Sequence, residues 1–268
     1  MADSSNASSS KPSRLALVTG AARRLGRAIS LELARQGWDV AVHCHRSRAE
    51  AEEVAAEIRA LGRKSVVLQA DLSDEAQATG LIGRCVEAIG LPACLVNNAS
   101  IFQYDAATSF SYAAFDAAMR ANAAAPILLA RELYRATPAQ EKEDGGAQGV
   151  VINMLDQKLS NLNPDFFSYT LSKAALQAAT TMMAQTLAPR LRVVGVAPGA
   201  TLVSGNQTQE DFAKAHKIAL LGRSSRPADI AGAVCYLANA EAVTGVTLAV
   251  DGGQHLMHLP RDVMFLTE

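Results

Sequence analysis

The chain has little of what marks most specialised protein classes. Its 268 residues include four cysteines and one tryptophan, and aromatics make up 5%. Cys44, Cys85, Cys94 and Cys235 show no CxxC pairing, and at least three fall in or beside apolar segments. They read as reduced core thiols of a cytoplasmic protein. The net charge of −1 provides no electrostatic basis for nucleic acid or an anionic membrane as partner. No apolar run approaches the roughly 18 residues of a membrane span. The opening MADSSNASSSKPS is polar and has no apolar h-region, so residues 1–13 read as a disordered tail, not a secretion signal.

What is present is a core. Hydrophobic residues make up 49% of the sequence, enough for one sizeable domain over residues 14–268. Short apolar strands (RLALVTG, WDVAVHCH, SVVLQADL, ACLVNNAS, VVINMLD, RVVGVAPG, VTLAVDGG) alternate with helical stretches such as GRAISLELARQG and PADIAGAVCYLAN. This rhythm predicts an α/β fold: a single-domain, doubly wound Rossmann-type parallel sheet of seven strands with helices on both faces. Ligands in such folds sit at the carboxyl ends of the strands. Two segments interrupt the rhythm. EKEDGGAQG reads as an exposed loop, and residues 201–227 are long enough to include a mobile substrate lid.

Three patterns carry chemistry. Tyr169 and Lys173, in SYTLSK, lie one turn apart on a helix, where an ammonium would keep the phenol usable as a proton donor. Asp156 ends the VVINMLD strand thirteen residues before Tyr169. TGAARRLGRA follows the first strand: Gly20 allows a tight turn, and Gly26 lets the helix start approach a phosphate. The second strand ends in His43, Cys44, His45, Arg46 and Ser47, without the acid that would accept hydrogen bonds from a ribose 2′-hydroxyl. Arg46, Ser47 and a nearby Arg24 suit a 2′-phosphate, which favours NADPH over NADH. His43 reads as a half-buried strand residue instead of a contact.

Together these motifs resemble the short-chain dehydrogenase/reductase family over essentially all of residues 14 to 253. The resemblance implies that Gly20, Arg23, Arg24, Leu25 and Gly26 form the cofactor loop, with Arg24 replacing its usual middle glycine. It implies that Asp71 and Leu72 contact adenine, and that Asn97, Asn98 and Ala99 stand for the NNAG motif, with Ser100 in place of glycine. Asn122 matches an asparagine that supports a helix kink and a relay water behind the lysine. Pro198 and Gly199 match the pair flanking the nicotinamide. Asp156 stands where the family places serine.

Within the family the chain is most similar to the pteridine and dihydromonapterin reductases. Four features carry this: Arg24, the HCHRS run, NNASIF and Asp156. The resemblance implies that Phe102 stacks on a pterin, that Arg24 and Ser100 hold pterin polar groups and cofactor phosphate, and that Leu202, Val203 and the segment near Leu220 wall the pocket. The apolar tail with Leu259, Val263, Phe265 and Leu266 should dock, and family tetramers place that end against a neighbour, which implies a homotetramer.

Carbonyl reduction requires a donor to the developing oxyanion, whereas an ionised Asp156 accepts only. The acid suits a C=N bond, where hydride goes to carbon and a proton to nitrogen. The expected activity is therefore NADPH-dependent reduction of a pterin, dihydropterin or dihydrofolate, with Tyr169 and Asp156 in the proton path. Two alternatives stay open: a carbonyl or quinone reductase, and a non-catalytic NADPH-binding regulator. His255 and His258 lack a third ligand, and the mechanism has no role for a metal.

Overall fold

A computed structural model describes residues 14–139, 147–205 and 207–266. The expected tail at 1–13 and most of the EKEDGGAQG loop lie outside them. Seven strands, β1 (Arg14–Val18), β2 (Trp38–Cys44), β3 (Ser65–Gln69), β4 (Cys94–Asn97), β5 (Gly149–Met154), β6 (Leu191–Pro198) and β7 (Thr247–Val250), form one sheet. The order is β3-β2-β1-β4-β5-β6-β7 and every pairing is parallel. The order reverses between β1 and β4, so a crevice opens at their carboxyl ends.

The helices are α1 (Arg24–Arg35), α2 (Arg48–Ala60), α3 (Glu75–Ala88), α4 (Tyr112–Met119), α5 (Ala125–Ala136), α6 (Phe167–Leu187), α7 (Gln209–Lys217) and α8 (Pro227–Asn239). The two-residue period of each strand divides the core between the sheet faces. Ala16 and Val18 join Ile29 of α1, Ile58 of α2 and Val234 of α8 on one side. Leu15 and Leu17 join Leu81 of α3, Leu129 of α5 and Leu187 of α6 on the other. Each fully buried leucine or isoleucine here stabilises the fold by about 1.5–3 kcal/mol.

Two segments add detail to the sequence reading. The long helix through Asn122 is interrupted by a π-helical turn over Arg120–Ala124, which is the expected kink. The stretch between β6 and α8 contains α7, begun by the Thr208 hydroxyl accepting from the Asp211 N–H.

His43 is buried, 1% exposed, and ties three elements together. Its Nδ1 accepts from the Gly20 N–H at 3.1 Å, which leaves Nε2 to donate to the Ala70 carbonyl at 3.1 Å. The half-buried reading is thus corrected: the ring fastens the turn after β1 to the end of β3. Burial pushes its pKa down to about 4. Between about pH 6.5 and 4 the unfolded chain binds the proton that the folded ring refuses, so stability falls as the pH falls. Urea unfolding is expected to show a loss of about 2 kcal/mol from this group between pH 7 and pH 5. A His43→Gln variant should lack that share of the pH slope; an unchanged slope would remove His43 as its source.

Candidate active site

A cleft of about 660 Å³ lies at the carboxyl ends of β1, β4, β5 and β6. Its floor near β1 is backbone. Gly20 turns at φ 60°, and a Cβ on Gly26 would stand 2.1 Å from the Gly20 carbonyl oxygen, so no side chain fits there. Asn98 braces the turn by donating from Nδ2 to the carbonyls of Thr19 (2.9 Å) and Gly20 (3.2 Å). The Thr19 hydroxyl accepts from the N–H groups of Asn98 and Ala99. At β6, a Cβ on Gly199 would meet Ser224 Oγ at 2.2 Å. Gln254 Oε1 accepts from the Ala200 N–H and from Ser224, while its buried Nε2 has no partner in the cleft wall. A side-chain-free cradle at a helix start and an unused donor beside Gly199 fit a dinucleotide and its carboxamide.

Arg24 holds the backbone conformation that a glycine would adopt, at φ 52°. Its guanidinium crosses the cleft mouth, donating to the Val203 carbonyl at 2.7 Å and to Ser204 Oγ at 3.1 Å. Arg23 pairs with Glu50. Leu25 lines the cleft and also packs against the core. Outside this cleft, His45 and Arg46 are exposed after β2, and Ser47 is the residue before α2. His45 Nε2 stands 3.5 Å from the Asp71 carboxylate, and Leu72 is buried in the core. The Asp71 carboxyl is held below its ordinary range, first by the Ser73 hydroxyl and then by the Ser73 N–H, with smaller help from His45 and Arg46. No acid from β2 reaches this corner, but one from β3 does.

The reacting end is built by β5 and α6. The Tyr169 hydroxyl donates to Asp156 Oδ2 at 2.7 Å, and Asp156 Oδ1 accepts from the Lys158 N–H at 2.9 Å. Burial raises the Asp156 carboxyl above the usual carboxylate range. Burial, and then the Asp156 charge, raise the Tyr169 phenol well above its ordinary value. Lys173 donates to the Met154 carbonyl at 2.7 Å, lies 5.7 Å from the Tyr169 ring centroid, and is pushed down to about 8 by burial. In this structure the lysine grips β5 instead of the phenol oxygen, and the raised phenol is no free acid. The carboxyl, raised by burial, keeps a proton to higher pH than an ordinary aspartate does.

Asn122 is fully buried and uses its whole amide on protein. Oδ1 accepts from Ser100 Oγ and the Ile101 N–H; Nδ2 donates to the Ile101 carbonyl and to Ser172 Oγ. It pins the Ser100 loop to α6 and does not line the cleft.

Phe102 faces the cleft with 41% of its surface exposed. One face stacks on Phe166 with centroids 4.1 Å apart, and Tyr169 meets it edge-on at 4.8 Å. Pro198, Gly199 and Leu202 line the cleft. Val203 differs, entering through its carbonyl to Arg24, and Leu220 is 62% exposed and away from the lining.

One part of the cleft wall was not anticipated. Asp262, Val263 and Met264 of the C-terminal tail line the cleft, as do Gln157 and Phe212. The tail docks on its own chain, where Phe265 stacks over Phe166 at 6.1 Å and Val263 is buried, while Leu256 and Leu266 stay exposed. The DFF run before SYT offered one signal, since Phe166 lies one helical turn before Tyr169. No spacing in the tail marked Asp262.

The short chain dehydrogenase family model matches residues 14–214. The chain belongs to the short-chain dehydrogenase family. It is similar to the solved structure of FolM alternative dihydrofolate reductase 1 from Brucella canis complexed with NADP. That match has a TM-score of 0.83 and 40% identity, over 91% of this chain and 95% of that one. It is 32% identical to pteridine reductase 1 of Leishmania tarentolae, over 90% of this chain and 96% of that protein. It is also 32% identical to the 3-oxoacyl-[acyl-carrier-protein] reductase FabG of Staphylococcus aureus, over 92% of this chain and all of that protein. This short-chain dehydrogenase is therefore an oxidoreductase, and no helix among its described residues is long and apolar enough to cross a membrane.

Proposed function

We propose that the chain is an NADPH-dependent pteridine reductase acting on a C=N bond of a dihydropterin, pterin or dihydrofolate. The observation that carries this reading is the 2.7 Å bond between Tyr169 and a carboxyl group, at a cleft position where carbonyl reduction needs a donor. The printed descriptions of the Brucella and Leishmania relatives support the substrate class and the cofactor.

When bound, the reduced nicotinamide supplies a hydride to the ring carbon of the C=N bond. That bond's electron pair is left on nitrogen, and the Tyr169 hydroxyl gives it a proton. The phenol is a weak acid, so Asp156, 2.7 Å away and with its carboxyl raised by burial, supplies a proton to the phenol oxygen as Tyr169 gives up its own. Asp156 then regains a proton from solvent. Lys173 and Asn122 hold β5, α6 and the Ser100 loop in register around this relay. Arg24, Ser100 and the exposed part of Phe102 bind the flat heterocycle, which gains offset-stacking energy there. Arg46, Ser47 and His45 bind the 2′-phosphate; Asp71 and Leu72 flank the adenine.

We further propose a homotetramer acting in the cytoplasm, in accord with four free, buried thiols. Two apolar surfaces support the assembly: Tyr236, Val246 and Leu248 around the exposed edge strand β7, and Ile127, Leu171 and Met182 on α5 and α6. Light scattering should then give four times the 28.2 kDa chain mass.

The FabG similarity favours one rival, carbonyl reduction. Assaying dihydropterin, dihydrofolate and a ketone panel with NADPH separates the two. Pterin turnover with little ketone turnover is expected; ketone turnover alone would end the proposal.

A further inference from the structure

The segment joining Asp156 to Tyr169 is clamped from outside by the chain's own tail. Lys158, whose N–H holds Asp156 Oδ1, sends its buried side chain to Asp262, with Nζ–Oδ2 at 2.9 Å. The same ammonium bonds Asn163 and lies 5.6 Å from the Phe166 ring centroid. Asp165, also buried, accepts both guanidinium bonds of Arg261 at 2.8 Å and the Asp262 N–H at 2.8 Å. Asn161 Nδ2 donates to the Met257 carbonyl at 2.6 Å. Every one of these contacts lands on residues 157–166, between the two members of the relay.

The geometry points to Asp262 as a positioning residue for proton transfer: through Lys158 it fixes the peptide that orients the Asp156 carboxyl. Its carboxylate stands in the cleft wall as the acidic neighbour of Asp156 from the tail, while Tyr169 and Lys173 face Asp156 from α6 and Lys158 from its own segment. A buried ion pair contributes little net stability but defines one arrangement, because breaking it leaves a charge without a partner. Here that arrangement is the alignment of carboxyl with phenol.

This inference rests on the relay proposed above. The test is therefore the ratio of variant to parent, on whichever substrate of the panel the parent turns over, so the parent's substrate range judges the relay separately. Asp262→Asn is expected to lower kcat three- to tenfold with the Kd for NADPH unchanged within about twofold. Because a negative neighbour is removed, the fall of kcat at rising pH should move to lower pH, and Asp262→Glu should restore much of the parent profile. Lys158→Met leaves Asp262 unneutralised and should move the same limb to higher pH, which keeps the test available if Asp262→Asn does not fold. A superimposable pH profile, or a loss shared equally by NADPH binding, would overturn the inference.

Discussion

Replacing Tyr169 by phenylalanine is expected to lower kcat for a dihydropterin about a thousandfold, with the affinity for NADPH kept within about twofold. A positioned proton donor contributes about 10²–10⁴ in rate, and a thousandfold corresponds to about 4 kcal/mol of barrier. The phenyl ring keeps its edge-on contact with Phe102, whose centroid lies 4.8 Å away, so the pocket wall stays in place. What disappears is the only atom that bonds Asp156 from α6 among the described residues. Stopped-flow hydride transfer and a fluorescence titration of NADPH measure the two quantities separately. A protein that binds NADPH equally well and never turned over a pterin would instead be a binding module, and the substitution would change nothing.

Changing Asp156 to serine should cost about a hundredfold in pterin reduction, about 2.7 kcal/mol. Burial raises the carboxyl, so it retains a proton at a pH where an ordinary aspartate has lost it. A serine hydroxyl has no comparable proton to give and must draw one from bulk water. The parent's kcat should fall as the pH rises through the raised pKa of Asp156, because the protonated carboxyl is the competent form. The Asp156→Ser profile should lose that limb. Equal turnover by parent and variant, across pH, would take Asp156 out of the proton path.

Much of the fold was legible because a parallel sheet covered on both faces leaves strong marks. Short, β-branched apolar runs such as VVINM and LALV read as buried strands and are, and PADIAGAVCYLAN coincides with α8 residue for residue. The Tyr169–Asp156 contact was legible too, because a strand end and the first turn of the next helix are brought together by the fold itself. The π-turn at Asn122 was visible only as a kink, since backbone hydrogen-bond shift leaves no composition signal. Lys173 misled for a different reason: helical spacing brings it near Tyr169, but the ammonium has a nearer carbonyl at Met154. Asp262 was invisible because it lies 106 positions beyond Asp156, and a contact at that separation is decided by packing alone.

Arg24 sits in a left-handed backbone conformation that costs a residue with a Cβ about 1–2 kcal/mol. A thermostability redesign would choose glycine at this position first, since glycine relieves the strain without disturbing the core. That choice would also delete the bridge across the cleft mouth to Val203 and Ser204. Under the ligand-binding role proposed for Arg24, robustness and ligand capture pull in opposite directions at one backbone position, and screening for melting temperature alone would select the poorer enzyme.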